Sequence, residues 1–327
     1  MTEDRLLFPG LQGQEKAKTL LRRVTESRRL AHAYLFRGPD GVGKRLCAYL
    51  FGAFLNCLEP TGNGACGRCL SCRKYLSGNH PDFIVVSPES GTIKIDRIRE
   101  LCRSLSYPPY ESAMRIVVME DVHLLRTEAA NSLLKTLEEP PAQNLLILTA
   151  ESSRTVLPTI LSRCQIIPFY GLNDEQVKQV LQDKEPVLSE EEVRTLVLMA
   201  AGSPGLALRL RREGIVSLWQ EVLTVLSGQV DEASRISAVL CCAERLAELK
   251  EHLVVLFDLL QIWVRDGLLA QQQAGVTAAV DGARARLNAI DRARQRLARN
   301  CNRSLVCETL LFDLQATVPG VSFKVHH

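Results

Sequence analysis

Short, unbroken apolar runs punctuate the first half of the chain, and between them the apolar positions fall at helical spacing. Residues 34–36, 83–86, 115–119, 145–149 and 165–169 read as strands. Runs of this length without polar alternation suit a parallel sheet buried on both faces. The intervening stretches read as helices: within 7–29, after Gly10, Gly13 and Gln14, through Ala17, Leu20, Leu21 and Val24, then 44–56 through Leu46, Tyr49 and Leu50, and 93–105 through Ile95, Ile98, Leu101, Cys102 and Leu105. A fourth, 128–139, is stopped by Pro140 and Pro141. Strands alternating with helices predict right-handed crossovers and an α/β layered sheet. From residue 171 onward only helical patterns remain. Asn173 with Gln176, Ser189 with Glu192, and Ser203 before Pro204 mark the starts of three short helices. Several longer helices follow over 215–318, with a soft break at 271–282, and 319–327 reads as a loose tail.

The segment between the first strand and its helix carries the first candidate chemistry. Gly38, Gly41 and Gly43 form a glycine-rich turn that opens into a helix at Lys44. Strand, glycine turn and helix N-terminus together present backbone N–H groups and a lysine to a phosphate, as in GxxxxGK[ST]. The last position departs from that pattern. Arg45 stands where a hydroxyl would hold Mg²⁺, and a cation there competes with the metal. The loop keeps the means to hold ATP or ADP, while hydrolysis is not expected. Glu120 and Asp121 end the third strand, where an NTPase places its metal ligand and its base, but in the reverse of the expected order. Thr149, ending the next strand, is positioned as a polar sensor.

Cys57, Cys66, Cys69 and Cys72 follow the spacing C-x8-C-x2-C-x2-C, with glycines at 62, 64 and 67 to permit the turns. Four thiolates so close in sequence can close a tetrahedral site. Zn²⁺ suits four sulfurs better than an iron–sulfur cluster does, and four ligands leave no open position, so a structural site is expected. Cys47, Cys102, Cys164, Cys241, Cys242, Cys301 and Cys307 lack such spacing and read as small buried apolar residues.

Composition narrows the function. A net charge of +3 over 327 residues gives no general field for nucleic acid. The start MTEDRLLFPG lacks the apolar core of a secretory signal, and eleven cysteines without one imply free thiols and metal in a reducing, cytoplasmic setting. The most apolar run, 253–269, is broken by Asp258, Gln261, Arg265 and Asp266, so a buried helix is expected there and no membrane contact. Arginines crowd 284–303; with Leu287, Ile290 and Leu297 as the buried face, most of them are expected in solvent.

Four segments occurring in one order carry a family resemblance: HAYLFRGPDGVGK, the cysteine excursion, TEAANSLLKTLEEPP over 127–141, and Leu161-Ser162-Arg163-Cys164. Over residues 7 to about 210 the chain resembles bacterial clamp-loader subunits of the AAA+ family. The resemblance implies an AAA+ α/β nucleotide-binding module over 1–170 with a zinc insertion at 57–72, a three-helix lid over 171–213 and an all-α collar over 214–327. It implies that Arg163, in the family's SRC motif, reaches the ATP site of a neighbouring subunit as a finger acting in trans. It also implies that Gly205 replaces the arginine of a second sensor, with Arg209 nearby. The expected role is a subunit of the replicative DNA polymerase III holoenzyme. Its partners would be ATPase motor subunits and the delta subunit, with the sliding clamp and primer-template DNA reached through the complex. Polymerisation would belong to other subunits. An active ATPase motor subunit is the alternative; a zinc-dependent DNA-binding module is disfavoured by the small net charge.

Overall fold

The computed structural model describes residues 8–62, 64–89, 91–227, 234–250, 253–273 and 279–316. The described chain divides into two compact units, Met1–Lys184 with Gly202–Leu206, and Glu185–Ala201 with Ala207–His327. The expected tail at 319–327 lies outside the described residues.

The first unit is built on five parallel strands: β1 (Ala33–Arg37), β2 (Phe83–Val86), β3 (Arg115–Met119), β4 (Asn144–Ala150) and β5 (Gln165–Pro168), in the order β2-β3-β4-β1-β5. Every residue of β3 and β4 is buried, which accounts for the apolar runs 116–119 and 145–148 within them. Each fully buried aliphatic side chain there contributes about 1.5–3 kcal/mol. Helices α1 (Glu15–Ser27), α2 (Lys44–Leu55), α3 (Leu70–Leu76), α4 (Ile95–Leu105), α5 (Thr127–Glu138), α6 (Pro158–Leu161) and α7 (Asp174–Lys184) connect and cover the strands. Ala129, Leu133 and Leu137 of α5 join Ile98 and Leu101 of α4 in one core with the strands. This is the expected α/β layered sheet.

One helix starts later than the sequence reading has it. Helix α4 starts at Ile95, because the N–H of Ile93 donates to the Leu124 carbonyl at 3.4 Å and keeps that residue extended. Helix α6 is confined to Pro158–Leu161, since the proline at its first turn holds Leu157 out of helical geometry.

One buried polar cluster fixes the far end of the sheet. Asp82 accepts the N–H groups of Tyr110, Glu111 and Ser112 at 2.6, 2.8 and 2.9 Å, with Arg115 Nε at 3.7 Å. The Arg115 guanidinium donates to the carbonyls of Ser104, Tyr107 and Pro108. Burial pushes the Asp82 carboxyl up, but the three N–H groups and Arg115 together outweigh it and hold it below 3.8.

The second unit contains α8 (Glu190–Ala200), whose Ser189–Glu192 capping box is formed, most of α9 (Pro204–Arg212), α10 (Ile215–Leu226), α11 (Arg235–Glu248), α12 (Leu253–Gln273), α13 (Ala279–Ala298) and α14 (Arg303–Ala316). Helix α11 packs on α14, and α12 on α13. No helix among the described residues is long and apolar enough to cross a membrane. The arginines of α13 are not simply solvated. Arg286 is buried with its guanidinium 5.6 Å over the Trp263 ring, Arg292 pairs with Asp313 and Arg294 with Asp258. Cys47, Cys242 and Cys307 are buried as expected, and Cys102 and Cys164 partly so, but Cys241 and Cys301 are exposed. Cys241 stands beside the buried Cys242 on α11, about 100° further round the helix and in solvent, and Cys301 lies in the α13–α14 turn.

Candidate functional site

The glycine-rich turn leaves β1 at Arg37 and enters α2 at Lys44. Gly43 takes φ +100°, a left-handed conformation that admits glycine without steric cost, and a Cβ there would meet Leu11 Cδ1 at 2.7 Å. Lys44 is 6% exposed, and its ammonium donates to the carbonyls of Gly38 at 2.6 Å and Pro39 at 2.7 Å. Burial lowers its pKa from 10.5 although Asp40, Asp121 and Glu151 lie near enough to raise it. The lysine therefore caps its own loop.

Arg45, one residue on, places Nε 3.1 Å from Glu120 Oε1, while the other oxygen of Glu120 accepts the Ser87 hydroxyl at 2.6 Å. The guanidinium thus stands against the acid that a metal would need. Asp121 has φ +50°, and its N–H donates to the Thr149 hydroxyl at 3.1 Å. Burial raises the Asp121 carboxyl, with His123 and Lys44 opposing the shift and Asp40 and Glu120 adding to it. The sheet register that aligns Phe36 with Thr149 brings Gly38, Gly41, Gly43, Lys44, Glu120, Asp121 and Thr149 to one end of the strands.

The segment opening α9 closes on this loop. The Ser203 hydroxyl donates to the Asp40 carbonyl at 2.7 Å, and the Gly205 N–H donates to the Gly41 carbonyl at 2.9 Å. A Cβ on Gly205 would stand 2.6 Å from Gly41 Cα, so this approach requires glycine. The sequence reading treated Gly205 only as a missing arginine. Its use as a backbone contact has no signal in one sequence.

The four cysteines converge beyond the other end of α2. All four Sγ atoms lie within 4.8 Å of one another, with Cys57–Cys72 at 3.6 Å and Cys66–Cys72 at 3.9 Å. A tetrahedron with Zn–S bonds of ~2.3 Å has edges of about 3.8 Å, so the donor set fits this ion. Backbone N–H groups point at the sulfurs: Cys66 to Cys57, Cys69 to Cys66, and Cys72 to Cys69, at 3.2, 3.3 and 3.4 Å. The N–H groups of Arg68 and Cys69 lower the Cys66 thiol. Burial pushes Cys69 up, but the N–H groups of Cys72 and Leu58 outweigh it and bring the thiol to about 6. Burial raises Cys57 and Cys72. All eleven cysteines are free thiols.

Arg163 follows α6 at the surface, apart from these groups. Its Nη1 donates to the Thr159 carbonyl and the Ser162 hydroxyl, each at 3.0 Å, and its Nη2 to Glu138 Oε1 at 2.5 Å. Glu138 was not singled out by sequence reasoning, although it lies within the quoted 127–141 segment.

Comparison with known proteins places part of this chain. Residues 13–173 match the family model described as DNA polymerase III, delta subunit. The DNA polymerase III subunit delta' of Pseudomonas aeruginosa is 38% identical over 191 residues, 57% of each chain. That of Escherichia coli is 34% identical over 181 residues, 55% of this chain and 54% of the relative. The DNA polymerase III subunit tau of Escherichia coli is 32% identical over 252 residues, 74% of this chain but 39% of its own length. The chain thus spans little more than half the length of the delta' relatives it matches. Over residues 13–173 this chain is similar to the DNA polymerase III delta' subunits.

Proposed function

We propose that the protein is a clamp-loader subunit of a bacterial replicative DNA polymerase III holoenzyme. In this reading it assembles with ATPase motor subunits and a delta subunit to place a sliding clamp on primer-template DNA in the cytoplasm. It supplies rigidity and an arginine, and it does not turn over ATP itself. The observation that carries the reading is the use of both loop cations on the chain's own groups, Lys44 on Gly38 and Pro39 and Arg45 on Glu120. A loop so arranged keeps its shape as a packing surface. To hold Mg²⁺ and a triphosphate it would have to break both sets of contacts. The delta' relatives support the assignment over the matched half of the chain.

Arg163 is read as the finger acting in trans. A planar, permanently charged fork stabilises charge on a transferred phosphoryl group, and its surface position next to α6 suits a reach across a subunit boundary. Cys57, Cys66, Cys69 and Cys72 would hold one structural Zn²⁺. Bound there, the ion would cross-link the insertion between α2 and α3. A second reading, an active motor subunit, draws on the similarity to tau over 74% of this chain.

The test is a clamp loader reconstituted with and without this chain, scored separately for assembly and for loading of clamp onto primed DNA. Loading that needs the chain, and survives Lys44→Ala, is the expected result. Loading that proceeds without the chain contradicts the proposal, and loading lost on Lys44→Ala favours the motor reading.

A further inference from the structure

Arg163 is fixed by more than its own turn. Its bonds to the Thr159 carbonyl and the Ser162 hydroxyl are local to α6 and the residue after it. The third partner, Glu138, comes from the end of α5, and among the described residues Arg163 is the only side-chain partner of that carboxylate. Nothing local accounts for an acid there. Glu138 is the last residue of α5, where the helix dipole and the unpaired carbonyl groups disfavour negative charge. Its side chain is 50% exposed, so it packs no core. A residue that opposes its local environment and makes one specific bond marks a position held for another purpose.

The three bonds engage both Nη1 hydrogens and one on Nη2. They leave the Nε–H and the second Nη2–H. A long arginine ordinarily loses much rotamer freedom on meeting an anion. Here the side chain is already ordered, with part of its fork still available.

We propose that Glu138 is the positioning residue for Arg163. Its carboxylate holds the guanidinium at the module surface, so that the remaining N–H groups meet the terminal phosphoryl group of a nucleoside triphosphate bound by a neighbouring subunit. The carboxylate itself touches no substrate. This inference rests on the in-trans reading of Arg163 and names the group that makes the reach reproducible.

The experiment compares Glu138→Ala, Glu138→Gln, Arg163→Ala and the double variant Arg163→Ala/Glu138→Ala in the reconstituted clamp loader. ATP hydrolysis is followed with clamp and primed DNA present, with assembly and zinc content as controls. Glu138→Ala is expected to lower kcat about two- to five-fold, the range of one partly exposed ion pair, with KM for ATP little changed. Glu138→Gln keeps an acceptor oxygen and is expected to recover most of the rate. The double variant should be no slower than Arg163→Ala, because the two residues act as one unit. An unchanged kcat for Glu138→Ala beside a slow Arg163→Ala complex overturns the Glu138 assignment alone. So does a double variant slowed by the product of the two single effects. An Arg163→Ala complex running at the unmutated rate removes the finger reading and this inference together.

Discussion

Helix α2 carries a candidate ligand loop at each end, and the two loops answer their polar groups in opposite ways. At its N-terminus the glycine turn satisfies itself: Lys44 on two loop carbonyls, Arg45 on Glu120, and Gly41 on the N–H of Gly205. Beyond its C-terminus four sulfurs face one another, and their partners are mostly N–H groups that favour the thiolate. Four converging sulfurs can be tied together by one cation, whereas a lysine already bonded to two carbonyls must exchange those bonds to meet a phosphate. The comparison sets a loop whose polar groups are met within the chain against a sulfur cluster that could hold a metal ion.

The largest expected effect lies at the second loop. Cys69→Ser should take the zinc content from about one ion per chain to near zero, because structural Zn²⁺ binding is worth about 10–16 kcal/mol in small domains. Hydrogen exchange should then rise over the described residues of 57–72 while the sheet keeps its protection. Freshly purified, unmutated protein without zinc in elemental analysis would break the comparison at this end.

Next comes Arg163, a half-buried surface arginine that belongs to neither loop. Arg163→Ala should lower the neighbour's hydrolysis by up to ~10³-fold where that finger dominates, less where several sites fire together. Hydrolysis by the assembled complex is the measurement, with zinc content and assembly unchanged.

The Asp82 cluster sharpens the idea that internal satisfaction replaces a ligand. Asp82→Ala leaves three N–H groups without their acceptor and a buried arginine without its counter-charge, and should cost about 3–5 kcal/mol in urea unfolding. The sign of its pH dependence follows from the lowered pKa. The stabilisation is complete above the ordinary 3.8 and is lost as pH falls through the lower folded value, so acid unfolding of the unmutated protein should steepen below that pH.

The smallest effect on stability is expected from Arg45→Ser. The Arg45–Glu120 pair is exposed on the arginine side and worth less than about 1 kcal/mol. Its consequence is chemical: a hydroxyl is restored and Glu120 released, so Mg²⁺-dependent nucleotide binding should increase in titration calorimetry. No increase would mean that Lys44 and the Gly41–Gly205 contact close the loop without help from Arg45.

Much of the sheet is legible in the sequence because β2 and β3 are bounded by sharp changes from apolar to polar residues, at 83–86 and 115–119. The cysteine cluster is legible because its spacing alone restricts the geometry. The strand order is not, since the apolar runs of β1, β3 and β4 are interchangeable as patterns. Nor are the groups that close the phosphate loop. Arg45 reads as a missing hydroxyl, yet that it finds Glu120 depends on the register of β3 beside β4 and β1. Gly205 reads as a lost side chain, while its close approach to Gly41 is a backbone property. Glu138 sits in a recognisable segment, but its pairing with Arg163 spans two helices. In each case the missing information is a contact between segments distant in sequence.

The central claim is that the glycine loop is structural while the chain acts through its neighbours. Steady-state ATP hydrolysis by the isolated, zinc-replete chain in Mg²⁺ tests it most directly, measured before and after Lys44→Ala. The account predicts no turnover above background in either protein. Sustained turnover by the unmutated chain that disappears on Lys44→Ala would contradict it.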